Sequence, residues 1–446
     1  MATKRDLVEA QAFSRRRLLT AFVSGAPGGQ ELEPTKPMRG VVAGVVLSVL
    51  VVIGSVGWGL LQPKPNDWQD DRLVVVKDSG ARYVSQGGTL YPVLNTTSAR
   101  LAIEAGSFDV IVVSPDVIAD APRGRTVGIE GAPDSPPAQS ALVGTGWTAC
   151  VAEDGIATHV GVPLETEAAQ AVVVQVAGET YVVADGVRHH VPATDAPAVL
   201  RSLQLDTATP VEARAAWLNL FPAGSDLAPL EVEGAGSPAP PGAGLDGLEV
   251  GTVVRVGAVG VTSRTFVVLE DGALASLSEF AGALYALGSG ALGAQVEVAP
   301  ADIRGAASAD PLGADDWPQE LVEPMPAERA PCAVLSTGTA PGVSLVSAEP
   351  PAAAGVDVVP GGGAVFVART QEGAAGAYGL LDETGRRFGL PGATSDTLLR
   401  LGYTEDDVVS VPPAWAELFA PGPELTPEAA FPAEVAASAT PTAGTP

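Results

Sequence analysis

The segment from Gly40 to Leu61, GVVAGVVLSVLVVIGSVGWGLL, is 22 residues long and carries no charge. A helix of that length, rising about 1.5 Å per residue, reaches across the roughly 30 Å hydrocarbon layer of a bilayer. Arg39 and Lys64 flank the run, and Trp58 lies near one end, where an interfacial ring is favoured. A cleaved signal peptide would have a shorter apolar stretch, a basic start near residue 1 and a small-residue cleavage site. Residues 39–62 are therefore read as one permanent transmembrane helix. Such a chain must fold as two separate polar portions.

The flanking charges orient it. Residues 1–39 hold seven basic side chains and four acidic ones, out of 25 and 52 in the 446-residue chain. Beyond the span remain 18 basic and 48 acidic residues. Positive charge stays cytoplasmic, so the N-terminus is read as inside and about 380 residues as extracytoplasmic. The overall charge of -27 argues against nucleic acid as a partner, because phosphate binding needs Lys and Arg.

Cys150 and Cys332, the only cysteines, both lie on the expected outer side. In an oxidising compartment two thiols are most simply one disulfide; two unrelated buried thiols are the alternative. Closing so long a loop is worth about 5 kcal/mol in the chain-entropy description.

Before the span, KRDLVEAQAFSRRRLLTAFV (residues 4–23) reads as a basic helix. Leu7, Val8, Phe13, Leu18, Leu19 and Phe22 are expected mostly on one side and the Arg15–Arg17 cluster on another. Arg5, Arg15, Arg16 and Arg17 are the candidate contacts with anionic lipid headgroups or with a cytoplasmic partner. SGAPGGQELEPTKP (residues 24–37) follows as a linker.

Beyond the span a short unit recurs four times: an aromatic residue, a Val-rich strand, a Gly- or Asp-containing turn, a second strand and an Ala/Leu helix. The copies begin at Arg82, Thr180, Thr265 and Ala377, with Tyr83, Tyr181, Phe266 and Tyr378 in the equivalent opening position. Ala215–Leu230 further parallels Pro413–Glu428, setting Trp217 opposite Trp415. These six aromatics are expected to fill the cores of the small units, which need packing partners because they bury little surface alone. The longer gaps after the first and third copies each contain one cysteine, so a bridge would join two distant inserts into a central domain.

The fold class expected is α+β: one N-terminal transmembrane helix, then a β-rich region with four small β-hairpin/helix repeats around a disulfide-closed central domain. The boundaries are a cytoplasmic segment and linker at 1–38, the span at 39–62 and repeat 1 at 63–105. The central domain takes 106–174 and 293–364, with repeat 2 and its Gly/Pro loop at 175–250 and repeat 3 at 251–292. Repeat 4 covers 365–428, and 429–446 forms a disordered tail.

No enzyme is visible. None of the four lysines follows a glycine, so there is no Walker-type phosphate loop. His159, His189 and His190 form no zinc signature, and neighbouring histidines in a strand point to opposite faces. No catalytic residue, metal or cofactor is assigned from the residues.

The chain resembles the EccB family, the single-pass membrane component of mycobacterial-type ESX (type VII) secretion systems. The resemblance rests on KDSGARYVSQGGTLYPVLNTTSARL (Lys77–Leu101), AFSRRRLLTAFV before the span, GTGWTAC around Cys150 and LGYTEDDVVSVPPAWAELFAPGPELTPEAA near the end. It implies a structural component of an inner-membrane secretion complex, with EccC, EccD and EccE-like subunits, a mycosin protease nearby and self-association of the periplasmic region. It implies that Arg5–Val23 lies along the membrane and contacts neighbouring subunits. Two alternatives come with the resemblance: ATP hydrolysis, described for some members, and peptidoglycan contact through repeats similar to a phage-lysin wall-binding fold. The acidic balance, the Gly/Pro insert at 233–247 and the low-complexity end depart from the family pattern.

Overall fold

The computed structural model describes residues 3–24, 42, 44–53, 68–241, 246–258, 261–291, 295–337, 342–369 and 376–438. They divide into two compact units, Met1–Asn66 and Asp67–Pro446. In the first, good helix formers without Gly or Pro give the helix Lys4–Ser24. Thr3 starts it: its amide and hydroxyl both donate to Asp6 Oδ2, at 2.9 and 2.7 Å. Residues 44–53 are helical, and most of the remaining expected span lies outside the described residues. No helix among the described residues is long and apolar enough to cross a membrane.

The second unit is mixed α+β, with five sheets among its described residues. Four of them share one connectivity. In the first module, Arg72–Val76, Arg82–Gln86 and Thr89–Pro92 form an antiparallel meander. The helix Thr96–Ala102 then returns the chain to Val110–Val113, parallel to the first strand. The second, third and fourth modules repeat this order from Ala171–Val176, Val253–Ala258 and Ala364–Ala368. The hairpins explain why the pattern is readable. Gly87–Gly88 and Asp185–Gly186 have positive φ at both residues, the condition for a two-residue type I′ turn. A Cβ on Gly186 would come within 2.2 Å of the Val343 carbonyl oxygen, so this turn presses on the central sheet.

The fifth sheet has six strands. Gly355–Val358, Gly155–Val160, Trp147–Ala152, Ala330–Ser336, Gly342–Ala348 and Thr166–Ala168 lie side by side in that order. Trp147–Ala152 is buried throughout. Trp147, Ala149 and Val151 join the largest apolar cluster, whereas Cys150 packs in a separate small cluster with Cys332 and Ala348. Strand alternation puts these two clusters on opposite faces.

Trp217 and Trp415 lie between the strands of their own modules and the central sheet. Both are fully buried in the cluster under the central sheet, together with Phe221, Phe366 and Phe419. Trp217 Nε1 donates to the Ala149 carbonyl at 2.9 Å. Trp147 meets Phe366 and Phe419 edge to face at centroid distances of 6.1 and 5.6 Å. Large rings gain most where three layers close around them, so the second and fourth modules dock here. The other two modules dock through helices. Ser202 Oγ donates to the Ala283 carbonyl at 2.6 Å between the second and third modules. Arg400, held by Asp396 at 2.7 Å, donates to the carbonyls of Leu101 and Ile103 at 3.0 and 2.8 Å.

Three expected segments find different places. Val110–Val113 completes the first module's sheet instead of belonging to the central domain, because a parallel fourth strand satisfies the open edge of Arg72–Val76. The Gly/Pro stretch after Val232 folds back on the third module, where Ala239 N donates to the Leu248 carbonyl at 2.9 Å. Residues 429–438, expected in a disordered tail, are ordered because they carry two apolar anchors. Phe431 packs edge-on against Tyr91 at 5.0 Å, and Val435 is buried in the first module's core. Residues 439–446 lie outside the described residues.

Trp217→Ala opens a cavity where the second module meets the central sheet and is expected to cost about 3–5 kcal/mol. Tyr83→Ala, at a half-buried position, should lower the melting temperature less; circular dichroism melts of the full-length variants give the order.

Candidate functional site

Among the described residues, the side chains singled out in the sequence do not gather into one site. Cys150 and Cys332 are bonded to each other and face each other directly in the antiparallel ladder. Both are fully buried. The bridge therefore reinforces a strand pairing between segments 182 residues apart.

The four opening aromatics are half-buried, not central. Tyr83, Tyr181, Phe266 and Tyr378 all lie on the second strand of their modules and pack at the margins of clusters. Cations cover two of these rings: Arg123 lies 4.9 Å from the Tyr83 centroid and Arg264 lies 5.8 Å from that of Phe266.

Arg5, Arg15, Arg16 and Arg17 are all exposed on Lys4–Ser24, as are Leu7, Leu18, Leu19 and Phe22. The expected two-sided division is imperfect. At about 100° per residue the three consecutive arginines fan across about 200° of the helix, and Arg15 falls between Val8 and Phe22 on the apolar arc. Phe13 sits off that arc. The helix is a mixed basic-apolar surface, with long arginine stems able to lie along apolar neighbours.

The histidines are separate. His189 is buried with Nδ1 2.9 Å from the Ser225 carbonyl, whereas His190 points the other way toward Glu179 and Asp226, at 3.3 and 3.6 Å. His159 lies 3.9 Å from Asp357. Among the described residues no three His, Cys, Asp or Glu side chains form a group able to hold a metal. One open depression is lined by Ser225, Asp310, Asp315 and Asp316, the wrong sign for a phosphate.

Sequence reading missed the polar anchor between the first and fourth modules. Tyr403 is buried and donates to the Pro137 carbonyl at 2.7 Å. Burial pushes its phenol well above the usual range, the Arg100 guanidinium opposes this and Asp407 adds to it. Burial also lowers the pKa of Arg100, whose guanidinium lies 4.3 Å from the Phe108 centroid. Asp407 is the reverse case. Slight burial would raise it, but hydrogen bonds from Gln139 and from the Thr404 amide and hydroxyl hold it below the usual carboxylate range. GYTEDD alone names no partner for these groups, since Pro137 and Gln139 come from a distant segment.

Four like-built modules, docked in pairs and through a disulfide-linked sheet, define a modular α+β protein. The chain belongs to the EccB family: residues 1–438 match the family model described as type VII secretion system ESX-1, transport TM domain B. It is 34% identical over 264 residues to the ESX-5 secretion system ATPase EccB5 of Mycobacterium tuberculosis, covering 54% of this chain and 51% of that protein. The chain thus spans about half the length of the curated relatives it matches. It is similar to a chain in the solved intact ESX-5 inner membrane complex, with 25% identity, a TM-score of 0.63 and coverage of 97% of this chain and 95% of that one. It is also similar to the solved EccB3 dimer from the ESX-3 core complex, with 26% identity, a TM-score of 0.66 and coverage of 80% and 99%.

The buried thiols give one test. Under denaturing, non-reducing conditions wild-type protein should resist alkylation, and Cys150→Ser should expose Cys332 to it without reductant; equal labelling of both would remove the bridge. Tyr403 gives another. A phenol with a raised folded pKa contributes stability that is complete below its unfolded value, near 10.0, and is lost as pH rises beyond it. Tyr403→Phe should cost about 1 kcal/mol at neutral pH through the lost hydrogen bond and flatten this alkaline decline in urea titrations.

Proposed function

We propose that this chain is a structural core component of a type VII (ESX) secretion complex in the inner membrane, linking membrane and cytoplasmic subunits to a periplasmic assembly. The observation that carries this is the similarity along 97% of the chain to a subunit of an intact ESX-5 inner membrane complex. On this reading residues 39–62 are a single transmembrane anchor with the N-terminus cytoplasmic. The exposed arginines and apolar side chains of Lys4–Ser24 then meet headgroups and neighbouring subunits. The second unit stands in the periplasm, in keeping with its buried disulfide. Partners are EccC, EccD and EccE-like subunits, with a mycosin protease nearby, and a second copy of the chain; the dimeric form of an ESX-3 relative supports the last.

The role is geometric: the modules couple a membrane anchor to a periplasmic assembly, with no covalent chemistry. The curated relatives carry ATPase in their names, but none of this chain's four lysines follows a glycine, so no step is derived from ATP.

Tagged full-length protein purified from native membranes in mild detergent should bring down EccC-, EccD- and EccE-like subunits, identified by mass spectrometry. Recovery of the chain alone, from membranes that contain those subunits in intact complexes, would overturn the reading in favour of a wall-binding anchor.

A further inference from the structure

The fourth strands of the first, third and fourth modules can be aligned residue by residue through their pairing. Val74 pairs with Tyr83 and Ile111. Its counterparts Val254 and Val367 pair with Phe266 and Val296 and with Tyr378 and Ser410. Val110 and Val112 therefore correspond to Gln295 and Glu297 in the third module and to Val409 and Val411 in the fourth.

The comparison separates two ways of treating the same sheet edge. In the third module it faces water and carries an amide and a carboxylate, the side chains that keep an edge from pairing. In the fourth it is apolar and covered: Val411 is buried in the aromatic cluster under the central sheet, and Val409 packs against it. The first module has the apolar version without the cover. Val110 and Val112 are 47% and 62% exposed on the open edge of the sheet. Backbone groups there point outward as well. The carbonyls of Asp109 and Val113 accept from Leu73 and Lys77 at 2.9 and 2.8 Å, so the odd-numbered groups face the sheet. Those of Val110 and Val112 face away, and the Val110 amide is capped only by its neighbour Asp109.

We propose that this edge joins two copies of the chain, with residues 109–113 of each pairing antiparallel about a two-fold axis at Ile111. The inference rests on membership of an ESX complex and names the surface through which copies meet. Charge selects the occupant. Two chains of net charge -27 repel, so they can meet only where charge is absent or already neutralised. Residues 110–115, VIVVSP, are uncharged, and Asp109 is neutralised by Arg72 at 3.8 Å. A two-fold axis at Ile111 sets Asp109 opposite Val113 and Asp116 opposite Gly106, so no carboxylate faces another. The same surface is used on both copies, which makes the contact closed and limits it to two. On pairing, the second copy's carbonyl replaces the Asp109 carboxylate at the Val110 amide.

The test uses full-length protein from native membranes in mild detergent, with mass measured by light scattering. The double variant Val110→Gln, Val112→Glu copies the third module's edge and alters only exposed side chains. It should reduce the number of copies per particle about two-fold, while Ile111→Cys should form an intermolecular disulfide and Leu399→Cys, at an exposed site elsewhere, should not. An unchanged copy number together with no cross-link at 111 overturns the proposal. Loss of a different subunit from the double variant, with copies of this chain still joined, assigns the edge to that subunit and also overturns it. Co-purifying subunits around a single copy of wild-type chain would refute the pairing alone; a chain recovered without those subunits would refute complex membership.

Discussion

The pairing of Trp147–Ala152 with Ala330–Ser336 is the constraint on which the rest of the second unit depends. It brings together segments separated by the whole of two modules, and the covalent link between Cys150 and Cys332 closes one end of the ladder, with Trp147 opposite Leu335 at the other. The two faces of this strand pair have different tasks. One holds the bridge in a small dry cluster; the other presents Trp147 to rings from the second and fourth modules. Without the pairing, those rings would have nothing to close against, and each module would be a small sheet with one exposed apolar face.

Much of this was legible in the sequence because local rules and tertiary structure agree. The Gly-Gly and Asp-Gly turns, alternating valines and equivalent aromatics mark the hairpins wherever the backbone demands positive φ at both turn residues. Long-range consequences were less legible. A tryptophan reads as buried, but nothing in AAWLNLF says that it is buried under a different domain. The fourth strands were missed for a related reason: VIVV is too short to carry a period, and its partner lies more than thirty residues earlier. The tail was misjudged on composition, since Pro and Ala dominate it while two side chains, Phe431 and Val435, decide its position. The basic helix shows the opposite failure. Three arginines in a row read as one cluster, although helical geometry spreads them around the axis.

The interfaces between modules share one economy. Side chains of one module donate to backbone carbonyls of the central sheet, of another module or of a connecting segment: Trp217 to Ala149, Arg400 to Leu101 and Ile103, Tyr403 to Pro137. Carbonyl acceptors are supplied by any residue, so such joints depend on the donor and on local backbone shape. Carboxylates assist at some of these joints, Asp396 by holding Arg400 and Asp407 by accepting from Gln139.

The anchoring of Phe431 and Val435 in the first module has a consequence for the order of assembly. A chain delivered N-terminus first exposes the sheet beginning at Arg72 before any other, yet part of that sheet's cover is made of residues translated more than three hundred positions later. Contacts so remote in sequence form late, after the intervening segments have collapsed. The earliest module to emerge is thus the last to be finished, and truncation at the far end leaves its damage in the module nearest the N-terminus.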